Sequence, residues 1–180
     1  MFYRLDWKGQ GTDEKLANTK NCVDVDVPWR MGILLPDSLG KPIECWLHEK
    51  RGDVLRDIFL VDIPLFSKKL IDILESEGVD NLQKYPAVLH GKNGELFENY
   101  FAVNIVGTVL CADLGKSTYL PDSDPPLMEF SNLVIDSSLV HSQQLFRLGE
   151  NTLYIIVNQK LGDRLSGESL VGVFLNQIES

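Results

Sequence analysis

Hydrophobic and polar residues alternate with a period of two over much of this chain and shift to a helical spacing in only two short stretches. Phe2 to Trp7 alternates bulky with polar residues and predicts a short strand. Gly9 to Lys20 is polar, carries Gly9-Gln10-Gly11 and predicts a loop. Val23, Val25 and Val27 then alternate with Asp24 and Asp26, which predicts a strand with one wet face, closed by Pro28. Pro36, Gly40 and Pro42 punctuate the next stretch, and strands are predicted over Ile43 to His48 and Val54 to Val61.

The character changes after Pro64. Ser67 is placed as an N-cap, Leu70, Ile71 and Leu74 fall on one side of a helix, and Gly78 stands where a helix ends. Ala87 to His90, Asn93-Gly94 and Leu96 onward predict a hairpin. Tyr100 to Asp113 is long and apolar, and Gly107 splits it into two strands or one bent strand. Residues 115–131, with Pro121, Pro125 and Pro126, predict a loop. Strands follow at Leu133 to Ile135, Leu153 to Val157 and Val171 to Leu175, with a short helix over Asn158 to Leu165. Strands outnumber helices without alternating with them, so the expected class is α+β: mainly antiparallel sheet with a few short helices. The expected organisation is a small, mostly β lobe over residues 1–60 packed on a larger α+β region over 61–180, with one continuous domain as the alternative. No internal repeat is present.

Charge refines this picture. The net charge is -9 over 180 residues. Residues 1–60 hold 9 Lys and Arg against 10 Asp and Glu, so the remaining 8 and 16 place almost all the excess in residues 61–180. Such a field argues against nucleic acid, whose binding rests on cationic side chains releasing counterions. It favours encounter with a basic protein partner, although an acidic surface also serves solubility alone. The three cysteines, Cys22, Cys45 and Cys111, have neither disulfide-framework nor zinc spacing and read as core residues of a reducing compartment. The first residues lack the regions of a signal peptide, and no apolar run approaches a membrane span. A cytoplasmic location without membrane contact is expected.

Chemistry finds no foothold in the sequence. His48, His90 and His141 have no metal spacing; the first two fall on predicted strands as structural histidines, and His141 reads as solvated. No nucleophile elbow or phosphate-cradling loop occurs, and Gly9-Gln10-Gly11 lacks the third glycine of a dinucleotide fingerprint. Ser38-Leu39-Gly40-Lys41 lies between Pro36 and Pro42, unsuited to a helix-borne serine. Asp24 and Asp26 share a face, and Asp122-Ser123-Asp124 with Glu129 resembles the start of a calcium loop without its central glycine and terminal glutamate. No catalytic residue, metal site or cofactor is expected. Trp7, Trp29 and Trp46 are assigned to the core, Trp29 being the best placed of the three for exposure.

A series of segments carries a resemblance. It runs through Asp62-Ile63-Pro64-Leu65-Phe66-Ser67, Gly78-Val79-Asp80-Asn81-Leu82-Gln83, Tyr85-Pro86, Tyr100 to Gly107, Cys111-Ala112-Asp113, Ser117, Leu145-Phe146-Arg147-Leu148 and Gly172-Val173-Phe174. In this order they resemble the eleventh immunity-protein family of bacterial polymorphic toxin systems, over about the last two-thirds of the chain. The resemblance implies a non-catalytic antidote that binds and neutralises a cognate toxin. In the leucine-rich segment, Arg147 is expected to meet a carboxylate across the sheet. Charge and predicted exposure nominate Glu95, Glu98, Asp122, Asp124 and Glu129 as partner-binding residues. The alternatives are a small-ligand sensor or scaffold, or a hydrolase with carboxylates gathered by folding from Asp24, Asp26, Asp62 and Asp113. Self-association through Val23-Val25-Val27 or Val171-Val173 as edge strands is a further possibility.

Overall fold

A computed structural model describes residues 1–7, 16–17, 19–23, 26–49 and 52–180. In chain order the elements are β1 (Phe2–Asp6), β2 (Thr19–Cys22), β3 (Ile43–Leu47), β4 (Ile58–Leu60), β5 (Pro64–Ser67), α1 (Lys68–Ser76), β6 (Leu82–His90) and β7 (Leu96–Ile105). They continue with β8 (Thr108–Val109), β9 (Thr118–Tyr119), β10 (Phe130–Asn132), a 3-10 turn (Ser137–Leu139), β11 (Leu145–Leu148), β12 (Ile155–Asn158), α2 (Gln159–Ser166) and β13 (Phe174–Ile178). The fold is α+β.

One sheet has the order β2-β3-β6-β7-β5-β4, antiparallel except at β3–β6. The other has the order β13-β1-β12-β11-β8, antiparallel except at β11–β8. Because β1 pairs with β12 and β13, while β2 to β4 share a sheet with β5 to β7, backbone pairing crosses residue 60 in both sheets.

Alternation along the strands sorts side chains into three cores. Phe66, Val103 and Ile105 of the first sheet meet Leu5, Leu145, Ile155 and Val157 of the second around both helices. The reverse face of the first sheet buries Leu65, Ala102, Tyr100 and Leu89 against Trp29 and Leu35. The reverse face of the second buries Phe2, Phe146, Leu148 and Ile156 against Cys111 and Ile135. Burial on both faces is why residues 100–106 and 145–148 read as apolar runs rather than alternations.

Local chemistry sets the helices as expected. The Ser67 hydroxyl accepts from the Leu70 amide at 3.1 Å, and Gly78 takes φ +88° just past α1. The Asn158 side chain accepts from the Leu161 amide at 2.9 Å to open α2. Glu77 joins the two helices through Lys160 and Arg164, and its hydrogen bond from Lys160 holds its carboxyl below the usual range. Within α2, a Cβ on Gly162 would stand 2.4 Å from Tyr3 Cδ2 on β1. Alanine normally outranks glycine in a helix by about 1 kcal/mol; here the ring must move. Gly162→Ala is therefore expected to lower stability by about 1–3 kcal/mol in urea denaturation, and a gain in stability would show that Tyr3 yields freely.

Several sequence expectations need correction. The strand expected over Val23 to Val27 is replaced by β2 at Thr19–Cys22, in the predicted loop; Asp24, Val25 and residues 9–15 lie outside the described residues. Val23, Asp26 and Val27 are not in a strand. β2 ends where Cys22 faces Cys45, with the Val23 amide still donating to the Glu44 carbonyl at 2.7 Å, and the two cysteines form a disulfide, so only Cys111 is the free core cysteine expected of all three. The strand over Val54 to Val61 shrinks to β4, because Arg56 and Asp57 leave the sheet to bind other segments: Arg56 donates to the Ala17 and Trp7 carbonyls, and Asp57 accepts from Ser67 Oγ and the Val171 amide. Val134 and Ile135 make only isolated bridges, to Glu179 and Ala112, and the last strand starts at Phe174 rather than Val171. Trp29 is buried and packs edge-on against Tyr85 at 5.4 Å, whereas Trp46 is the exposed tryptophan.

Candidate partner-binding surface

The turn joining β11 to β12, Gly149-Glu150-Asn151-Thr152-Leu153, is built inside out. Its polar side chains Glu150, Asn151 and Thr152 are buried. The Glu150 carboxylate accepts from the amides of Ala112 at 3.0 Å and Cys111 at 3.4 Å. Asn151 donates to the Met128 carbonyl at 2.7 Å and accepts from the Leu153 amide at 3.0 Å. The backbone clamps the loop opposite, through Met128 N to Glu150 O at 2.9 Å and Thr152 N to Pro126 O at 3.0 Å. Satisfied buried groups of this kind hold a turn in one geometry.

Against this rigid frame, apolar side chains face water. Leu153 is 44% exposed, Leu127, which bridges to Asn151, is 54% exposed, and Leu110, packed over Gly149, is 64% exposed. Met31, 41% exposed, has its sulfur 3.9 Å from Thr152 Oγ1. Four exposed apolar residues from four separate segments thus converge on one turn. Isolated exposed leucines are ordinary; these four each touch the same fixed turn.

Beneath it lies Arg147, 1% exposed. Among the described residues the carboxylate expected across the sheet does not pair with it: the guanidinium donates instead to the carbonyls of Thr152 at 2.7 Å and Trp29 at 3.1 Å. It thereby ties the turn to the segment carrying Arg30 and Met31. Burial, followed by the like charge of Arg30, pushes Arg147 down to about 10, so it remains a cation at neutral pH.

The five nominated acids are all exposed but fall on two elements. Asp122, Asp124 and Glu129 lie in the loop that carries Leu127, with Leu127 N bonded to Asp124 O and Leu120 N to Glu129 O. Glu95 and Glu98 lie on the β6–β7 hairpin of the other sheet. Glu95 is engaged within the turn, accepting from the Asn93 amide at 2.9 Å, and these bonds lower its pKa. No hydrogen bond or ion pair among the described residues links the two groups.

Other chemistry is sparse. Among the described residues no three His, Cys, Asp or Glu gather to hold a metal. Asp62 pairs with Arg30 at 2.9 Å, Asp113 with Lys116 at 2.9 Å, and Asp26 is exposed, so these three carboxylates are not collected at one place; Asp24 lies outside the described residues. Burial, then Glu150 and Asp136, pushes the Cys111 thiol up to about 12, leaving it protonated and unreactive. His90 stacks on Trp46 at 4.8 Å and pairs with Glu44, and His141 is exposed. A cleft of about 410 Å³ lies between Gly78–Asn81, Val106–Val109 and Ser142–Phe146.

Sequence reasoning missed Met31, Leu110, Leu127 and Leu153, because an exposed leucine has the same letter as a buried one. The signal available was Leu127 stranded in a proline-rich loop and Leu153 following a polar turn. No described helix is long and apolar enough to cross a membrane. The model of one protein family, described as an immunity protein family (Imm11), matches residues 5–180, which extends the sequence resemblance through the first 60 residues. No curated protein matches the chain.

Proposed function

Since this chain belongs to the immunity protein family Imm11, we propose that it is a non-catalytic antidote that binds a cognate toxin one-to-one, through the apolar surface around the β11–β12 turn. The observation that supports this reading is the convergence of Met31, Leu110, Leu127 and Leu153 on a turn whose own polar groups are turned inward. An apolar centre with a charged rim is the arrangement of protein interfaces. Asp122, Asp124 and Glu129 supply an acidic rim in the loop bearing Leu127. That rim, in a region holding most of the net negative charge, suits a basic toxin surface and speeds its encounter. The reading places the protein in the cytoplasm of the cell that makes the toxin, where self-protection calls for an affinity of nanomolar order, about -12 kcal/mol.

The test is capture of the tagged protein from cells expressing the neighbouring toxin gene, followed by an activity titration of the retained toxin domain. Complete inhibition at one equivalent is expected. Exchange of Asp122, Asp124 and Glu129 for their amides is expected to slow association about tenfold at low salt, and exchange of Glu95 and Glu98 to change it little. A toxin that stays active beside excess protein would end the antidote reading and turn attention to a small-ligand role for the 410 Å³ cleft.

A further inference from the structure

We propose that Arg30 and Arg147 form a carboxylate-binding pocket between the two sheets, beside Leu153. A hollow of about 120 Å³ lies here, walled by Leu60 and Pro64 of the β4–β5 pair and by Leu153 and Ile155 at the start of β12, with both arginines lining it. The polar accounting of Arg147 is incomplete. Its two terminal nitrogens are satisfied by carbonyls, but its buried Nε has no hydrogen-bond partner. Buried charged donors nearly always have an acceptor, and a buried guanidinium nearly always has an anion. Among the described residues Nε has no acceptor and the guanidinium no anion, and its charged neighbour in the pocket is a second cation.

The same features define the ligand. Arg30 and Arg147 carry two positive charges, and among the described residues the only carboxylate paired with either is that of Asp62, fully exposed and 2.9 Å from Arg30. One positive charge is left over, which a monoanion neutralises and a phosphate dianion exceeds. At roughly 30 Å³ per water the hollow holds about four waters, enough for a carboxylate with a short stem. The apolar walls suit that stem, and a guanidinium N–H gives a carboxylate a charge-assisted hydrogen bond. The ligand is therefore a carboxylate on a short aliphatic stem, carried by a small free acid or by an aspartate or glutamate of a docked protein.

Propionate is the probe, and the Arg147 Nε–H resonance is the readout. At constant ionic strength, propionate is expected to shift that resonance saturably, with a dissociation constant on the order of millimolar. Asp62→Asn, at a fully exposed position, removes the competing negative charge and should tighten binding several-fold. Arg30→Gln, on a partly exposed side chain, should abolish saturation while leaving the protein folded. A resonance unmoved by propionate, or an Arg30→Gln variant that responds like the parent, overturns the proposal. Repeating the titration in the toxin complex separates the two sources. If a toxin side chain fills the pocket, the resonance is already shifted and propionate adds nothing; if the ligand is a free acid, the complex still titrates. The titration of the free protein does not depend on the antidote reading, so each can fail alone.

Discussion

Leu153→Asp is expected to weaken binding of the cognate toxin by at least about 100-fold, a loss of about 2.7 kcal/mol, while leaving the fold intact. Leu153 sits at the end of the β11–β12 turn, its amide held by Asn151 Oδ1 at 3.0 Å, so its backbone is fixed without help from its side chain. The side chain is 44% exposed, which makes the change cheap for the free protein. In a complex that covers Met31, Leu110, Leu127 and Leu153, the same change places a carboxylate in an apolar contact. Truncation of a central apolar anchor already costs about 2 kcal/mol or more, and the introduced charge adds a desolvation penalty. The measurement is a competition titration against the toxin domain, beside a urea melt of the free protein. Unchanged affinity with an unchanged melt would move the binding surface elsewhere on the molecule.

Trp29→Ala is expected to remove about 3–5 kcal/mol of folding stability, from a total that for single domains is about 5–15 kcal/mol. The indole is 4% exposed, packs edge-on against Tyr85 and caps the outer core of the six-stranded sheet. Its carbonyl also receives Arg147 Nη2, so collapse around an emptied site displaces the strap that places Arg30 and Met31 beside the turn. Toxin binding should therefore fall along with stability. Trp29→Phe separates volume from polarity: it keeps most of the packing and removes an indole N–H that is buried without an acceptor. Its expected cost is under about 1.5 kcal/mol. Parallel chemical denaturation of the two variants decides the matter, and an alanine variant within about 1 kcal/mol of the parent would show the site repacks.

The elements most legible in the sequence were those whose cause is local. Ser67 and Asn158 cap helices because a side-chain oxygen reaches an amide three residues on. Asn93-Gly94 turns the β6–β7 hairpin, with Gly94 at φ +87°, and Gly107 at φ +94° divides β7 from β8 as its place in an apolar run suggests. Misreadings fall where a distant partner decides. β2 is a polar edge strand that exists because β3 pairs with it, so its letters Thr-Lys-Asn-Cys carry no alternation to read. Arg56 and Asp57 interrupt an apolar segment to bind Trp7, Ala17, Ser67 and Val171.

By itself, the sequence determined the class, the two helices with the Ser67 cap of the first, the central hairpin and the acidic excess of the second portion, and its ordered segments pointed to the immunity family. Each of these depends on neighbours within a few residues or on sums over the chain. Only the tertiary structure decided that Cys22 meets Cys45, that Arg147 is buried without a carboxylate, and that Met31, Leu110, Leu127 and Leu153 share one turn. Those relations join positions up to about 120 residues apart through strand order, as in the 118-residue step from Trp29 to Arg147. Hydrophobic periodicity reports which face of an element is buried, and it is silent on which element lies opposite.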